Sequence, residues 1–342
     1  GPVVTFGEIM LRLNPPGHQR IFQADSFEAF YGGGEANVAA SLAGFGLTVK
    51  YVTRLPKNEL GETCAARLMG FGVDTRHISW GGDRIGIYFL ETGAAQRPSK
   101  VIYDRSQSSF ATIQPGMVDW EAVFEDAQWF HWTGITPGVS SAAAEVCQEA
   151  LEVAKKYRLT ISCDLNYRAK LWRWTESPGA VMRNLVKYCD LVIGNEEDAH
   201  KLFGIAAPDT SVTTGSLQAD NFLPVCRELV NQLNGPATIA ITLRGSVSAS
   251  INTWSAVLWK GNQFFTGPSY EIIPVIDRVG GGDAFAAGLI YSLITDKDPQ
   301  SALNFAAAAS CLKHSIPGDI NLVSAREVEQ LAEGDQSGRI SR

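Results

Sequence analysis

The chain has 342 residues, 45% hydrophobic and 19% charged, so apolar side chains suffice for a packed core and nothing in the composition signals disorder. A formal net charge of -7 excludes a general nucleic-acid binder, which would carry a basic face, so any affinity for phosphate must be local. No apolar run is long enough to span a membrane and no charged-then-apolar leader occurs. The six cysteines are scattered without a C-x-x-C pair, which suits reduced thiols in the cytosol better than a zinc site.

The first apolar run, Val3 to Phe6, reads as a strand and leads into Gly7-Glu8-Ile9-Met10. A Rossmann loop would need G-x-G-x-x-G here and a Walker A loop G-x-x-x-x-G-K-[ST]; neither is present. Met10 to Tyr31 and Arg84 to Tyr103 are strand-like, with Gly and Pro turns and no helical stretch inside them. They predict a small antiparallel lid covering about residues 10–31 and 84–110. Between them, Gly32-Gly33-Gly34 opens a short helix with Asn37 in its first turn and Gly46 as its stop, a glycine-lined entrance that could lie against a polyol.

From about Asp119 strands and helices alternate. Strands are expected at Gln128 to Trp132, Leu159 to Asp164, Leu191 to Gly194 and Ala237 to Thr242, with helices at Ser141 to Tyr157 and Ala180 to Cys189. This is the pattern of βαβ units, a mostly parallel sheet with helices on both faces, so the fold class is α/β. Ser246 to Thr253, Ala256 to Lys260 and Gln263 to Phe265 read as a meander that finishes the sheet, followed by helices from Gly281 to Ile294 and Pro299 to His314. A single domain over about residues 1–335 with a polar tail at 336–342 is expected.

The most informative segment is Asp277-Arg278-Val279-Gly280-Gly281-Gly282-Asp283, at the mouth of the Ala-rich helix. Backbone free of side chains at a helix N-terminus can turn several N–H groups toward an anion, and the helix dipole favours negative charge there. Asp283 beside such a phosphate site makes sense as a base that accepts a proton from an attacking hydroxyl. The segment predicts phosphoryl transfer.

The two glycine clusters, in this order, resemble the G-G-x-x-x-N-x-A and D-T-x-G-A-G-D segments of the ribokinase-like (PfkB) carbohydrate kinases, and the resemblance covers nearly the whole chain. It implies a three-layer α/β/α core with a small β lid, ATP and Mg2+ as partners, and Asp283 as the catalytic base. Gly280, Gly281 and Gly282 would form the anion hole. Arg278 and Val279 stand where Thr is usual, which leaves open whether the loop takes a monovalent cation. Asn195-Glu196-Glu197-Asp198 resembles the family's N-x-x-E segment, with Asn195 toward the nucleotide and Asp198 toward magnesium through water. Thr242, Arg244 and Gly245 match its nucleotide loop, and Ala307 would lie near the adenine.

Within the family, the strings around Gly34, Tyr103 and Asn166 most resemble the 2-keto-3-deoxygluconate kinases. The acid sugar would sit between Gly34, Asn37 and the lid, with Arg105 and Arg168 near it, because guanidinium groups bind carboxylates directionally. Tyr88 and Tyr103 would supply lid hydroxyls and Asp319 would meet a distal hydroxyl, while Asn166 and Arg168 would also reach the nucleotide phosphates. Phe22, Phe27, Phe30 and Phe89 predict an apolar lid face that pairs two copies as a homodimer. The alternatives are a fructokinase or ribokinase-like enzyme of the same family, or a sugar sensor that keeps the fold without catalysis.

Overall fold

A computed structural model describes residues 1–208 and 218–334; the tail expected at 336–342 lies outside them. Seven strands form the parallel part of the main sheet, in the spatial order Thr238–Ser246, Leu191–Asn195, Thr160–Asp164, Trp129–Thr133, Val3–Phe6, Val49–Val52 and Val73–Asp74. The inner strands are buried along their length, as near-continuous apolar runs require when helices cover both faces. Two apolar clusters result. One packs the helices Gly34–Gly44, Gly281–Ile294 and Pro299–Lys313 on one face, and the other packs Ser141–Lys156, Pro178–Val186 and Leu223–Leu233 on the opposite face.

The antiparallel edge differs from the expected meander. Thr238–Ser246 runs on past its parallel neighbour and pairs along its whole length with Asn252–Lys260, so Ser246 ends one strand and residues 247–251 form the hairpin turn. Residues Thr242 to Ser246 are therefore strand and not loop. Beyond Thr242 the parallel ladder has ended and the antiparallel pairing alone continues, from Thr242 opposite Ala256 to Ser246 opposite Asn252. Gln263–Thr266 and Tyr270–Ile272 complete the edge.

The lid is a separate four-stranded sheet in the order Glu28–Gly32, Met10–Asn14, Gly86–Glu91 and Lys100–Asp104. Its outer pairs are antiparallel, whereas the two middle strands run parallel with Arg12 opposite Tyr88. A parallel pair needs a long crossover. The chain supplies one by returning to the core between the two halves of the lid. Among the described residues no helix is long and apolar enough to cross a membrane, and the six cysteines carry free thiols, five of them buried.

Candidate active site

Open α/β sheets place ligands beyond the carboxyl ends of their strands. Here those ends lead to Glu8, Thr133, Asn166 and Asn195 from four adjacent strands, and the helices beginning at Gly34 and Gly281 start beside them. Gly280 has φ 83°, and a Cβ on it would lie 1.9 Å from the carbonyl oxygen of Asp319, so only glycine fits the turn. Within the turn Gly281 N–H donates to Arg278 O (3.3 Å) and Ala284 N–H donates to Gly280 O (2.8 Å). This leaves the N–H groups of Gly282 and Asp283 uncommitted among the described residues, and a Cβ on Gly282 would meet nothing within 4 Å. Of the three glycines expected to form an anion hole, Gly281 thus has its N–H engaged within the turn, while the helix start stays open at Gly282 and Asp283.

Asp283 stands in its first turn, half-buried. Asn37 Nδ2 donates to Asp283 Oδ2 at 2.7 Å across 246 residues of sequence. A Cβ on Gly34 would lie 3.4 Å from Thr133 Cγ2, 3.6 Å from Asp283 Oδ1 and 3.8 Å from Asn166 Nδ2. Gly34, Asn37, Asn166 and Asp283 therefore meet at one point, and the missing side chain of Gly34 leaves space over the carboxylate. Burial pushes the Asp283 carboxyl up to about 6, with the Asn37 hydrogen bond pulling the other way and Asp319 adding to the rise. A carboxylate near that value is ionised at neutral pH and still basic enough to take a hydroxyl proton during attack.

Glu35 lies below this point, fully buried, accepting from Thr133 N–H (3.0 Å), Thr133 Oγ1 (2.9 Å) and Thr136 Oγ1 (2.7 Å). It ties the Gly34 helix to the strand end at Thr133. Burial pushes its carboxyl up to about 7.

The lid meets the core through a second buried cluster. Arg12 donates from Nη1 to Asp319 Oδ1 at 2.7 Å, from Nη2 to Asp277 Oδ2 at 2.6 Å and from Nε to Asn14 Oδ1 at 2.8 Å. Burial opposes its charge, but Asp319 and Asp277 outweigh it and hold the guanidinium above its ordinary value. Tyr88 donates its hydroxyl to the other oxygen of Asp319 and is itself buried.

Two of the expected substrate residues thus belong to this cluster. Asp319 and Tyr88 bond to each other, and Asp319 also to Arg12, so together they fasten the lid to the turn at Asp277. Arg105 pairs with the buried carboxylate of Glu8, which also accepts from Ser108 Oγ at 2.6 Å, while its Nε is buried without a partner among the described residues. Tyr103 is exposed on the outermost lid strand, its ring 5.7 Å from the Arg105 guanidinium carbon and 5.9 Å from the Tyr88 ring.

On the other side of Asp283 the structure divides the expected nucleotide residues. Asn195 Oδ1 accepts from the N–H groups of Glu197 (2.8 Å) and Asp198 (3.0 Å), so its side chain shapes the loop that starts the next helix. Asp198 is buried, with Oδ1 accepting from Tyr167 N–H at 3.1 Å and Oδ2 from Asn195 N–H at 2.8 Å. Both of its oxygens clamp two strand-end loops together.

Arg168 is exposed, donates to Tyr167 O at 3.0 Å, and its charge reaches Asp164, Asp198 and Asp283. Thr242 is buried with Oγ1 donating to Gly194 O at 3.4 Å, and Gly245 is buried within the strand. Arg244 is half-buried on that strand, with an unpartnered Nε among the described residues. Ala307 is a further correction. It is fully buried between helices, where the close approach of Gly288 to Ala306 (2.9 Å from a Cβ placed on the glycine) shows what the small residues are for.

The sequence matches the pfkB family carbohydrate kinase description over residues 2–326. This chain belongs to that family. A 2-dehydro-3-deoxygluconokinase from Thermotoga maritima has a structure similar to it at 48% sequence identity, with a TM-score of 0.91 over 97% of this chain and 99% of that one. A 2-dehydro-3-deoxygalactonokinase from Haloferax volcanii is 32% identical over 340 residues, 98% of each chain. A 2-dehydro-3-deoxygluconokinase from Thermoproteus tenax is 28% identical over 335 residues, 96% of this chain and 93% of the relative. An Escherichia coli protein solved with ATP and Mg2+ shares the fold, with a TM-score of 0.80 and 19% identity.

For a carbohydrate kinase of this family, the residues that sequence reasoning missed are those whose partners lie far along the chain. Glu8, Arg12, Glu35 and Asp277 all belong to the buried framework around the open helix start. The alternation around Arg12 gave the opposite sign, with Leu11 and Leu13 on one face and Arg12 on the other with Asn14, whereas the structure buries Arg12. A buried cation demands a buried acid, and alternation says neither that Arg12 is buried nor which acid it meets.

Proposed function

We propose that this kinase transfers the γ-phosphoryl group of ATP to the C6 hydroxyl of 2-keto-3-deoxygluconate, giving 2-keto-3-deoxy-6-phosphogluconate and ADP. The single observation that carries the reaction is Asp283, with one oxygen held by Asn37 at 2.7 Å, standing at a helix start whose N–H groups are open. The sugar hydroxyl lies over the space left by Gly34. As its oxygen bonds to the γ-phosphorus, its proton passes to Asp283 and the bond from phosphorus to the β-phosphate bridge oxygen breaks. The N–H groups of Gly282 and Asp283 stabilise the charge that builds on the transferring group.

The acid-sugar substrate is supported by the names of the relatives at 48% and 28% identity, and by the unpartnered Nε of Arg105 below the lid. The Haloferax relative is named for the galactonate epimer, and the higher identity to the Thermotoga protein favours the gluconate form. Arg168, Asn166 and the Arg244 strand lie on the nucleotide side, where their donors suit phosphate oxygens. Mg2+ neutralises charge between the terminal phosphates when bound. Among the described residues no group of three or more His, Cys, Asp or Glu forms a metal cage, which fits an ion held chiefly by phosphate and water. ATP as the donor and a full set of free thiols support a cytoplasmic enzyme.

The exposed lid strand with Val101, Ile102 and Tyr103, together with the highly exposed Phe22, supports a homodimer through the lid. Sedimentation or light scattering that finds only monomer at micromolar concentration would overturn that part. The function itself is tested by ADP release over a sugar panel. Turnover with 2-keto-3-deoxygluconate should exceed that with fructose, ribose or nucleosides by at least tenfold. A neutral sugar that wins assigns another specificity within the family, and tight sugar binding with no ADP release assigns a sensor.

A further inference from the structure

Lys313 closes the helix Pro299–Lys313 and is fully buried, although a lysine at a helix end ordinarily runs its ammonium out to water. Its Nζ donates to Ile316 O at 2.9 Å and to Asp277 O at 3.4 Å, and its Cε lies 3.3 Å from a Cβ placed on Gly280. The Ile316 contact alone would be ordinary satisfaction of the chain just past a helix end. The Asp277 contact is different, because that carbonyl begins the turn that builds the anion hole and lies 36 residues earlier in sequence. An ammonium that donates to two backbone carbonyl oxygens uses the ligand type that potassium-binding sites provide, where carbonyls replace the hydration shell of the ion.

Burial lowers the lysine, yet Asp277 and Asp319 act to keep its charge. The neighbouring Arg278 repeats the device on the other side of the turn, donating from Nη2 to Ala249 O at 3.2 Å, Ser248 O at 3.4 Å and Asn252 Oδ1 at 3.5 Å. Consecutive residues of the turn are thus held from two sides by cations of the chain itself.

We infer that Lys313 is a positioning residue that serves as a resident monovalent cation beneath the anion-hole turn, so that this kinase needs no dissolved potassium, sodium or ammonium ion. The inference rests on the kinase reading for its consequence in turnover, but its structural part can be measured without any substrate. Melting temperature and sugar-dependent turnover are compared in potassium, ammonium and tetramethylammonium chloride at equal ionic strength, for the wild type, Lys313→Ala and Lys313→Met.

The wild type should melt within about one degree in all three salts and turn over within about twofold. Lys313→Ala, which vacates the space, should lose at least tenfold in turnover and several degrees in tetramethylammonium, and should recover most of both, saturably, in potassium or ammonium. Lys313→Met fills the space with an uncharged chain and should stay impaired in every salt. Lys313→Ala indifferent to the kind of cation overturns the inference, and so does a wild type that needs potassium. The wild-type series keeps the test decisive even if neither variant folds. Cation-specific melting without sugar turnover would leave Lys313 assigned and sink the substrate reading instead.

Discussion

Removing the hydrogen bond from Asn37 to Asp283 should move the acid limb of the pH–rate profile upward. In the folded protein the Asp283 carboxyl lies at about 6, above its ordinary value of 3.8, because burial outweighs the help it receives from Asn37. That donor sits at 2.7 Å and serves the ionised form. A hydrogen bond to a charged group contributes about 1.5–3 kcal/mol, and about 1.4 kcal/mol corresponds to one pH unit. Asn37→Ala should therefore shift the acid limb of kcat/KM by roughly one unit or more toward alkaline pH, less where water takes the vacated position.

The assay is ADP release from pH 5 to 9 with wild type and variant. At neutral pH the variant should be slow because about half or more of Asp283 is protonated, and toward pH 9 it should recover much of its deficit. An acid limb that stays in place or moves to lower pH would refute the assignment of Asp283 as the titrating base. A deficit of equal size at every pH would refute the role given to Asn37.

Three further outcomes follow from the same geometry. Asp283→Asn should lower kcat by about 10²–10⁴ while sparing ATP binding, and should stabilise the protein near pH 7. The folded carboxyl lies above its unfolded value, so wild-type stability is complete below about pH 4 and is lost as pH rises through about 6. For a half-buried group the gain should be on the order of 1–2 kcal/mol, seen in urea melts at pH 7.5 and gone by about pH 4; an equal or larger gain at pH 4 would contradict the sign. Gly34→Ala has room at ordinary contact distances and gains helix propensity, so it should fold at least as stably as wild type. Its methyl would stand over Asp283 and raise the sugar KM several-fold, so an unchanged KM would remove the sugar from that position. Arg12→Met leaves Asp277 and Asp319 buried without their cation and should cost about 3–5 kcal/mol in denaturant unfolding. A loss below about 1 kcal/mol would show that the cluster is solvated or protonated.

Sequence alone determined the features whose physical cause is local. The inner strands announce themselves because both of their faces are buried, and the two helix starts because a glycine cluster opens each, with Gly280 at φ 83° where only glycine fits. Asp283 was legible for the same reason, as an acid in the first turn of a helix mouth. Tertiary structure alone decided what surrounds it. Asn37 reaches Asp283 across 246 residues, and Arg12 reaches Asp277 and Asp319 across 265 and 307, distances over which no periodicity carries information. It also decided that Thr242 to Ser246 extend as strand, because an antiparallel neighbour offers hydrogen bonds that the segment itself does not encode. Arg278 and Lys313 show the difference most plainly: in the sequence one departs from a pattern and the other ends a helix, and only the carbonyl oxygens that folding gathers around them give either charge a place to act.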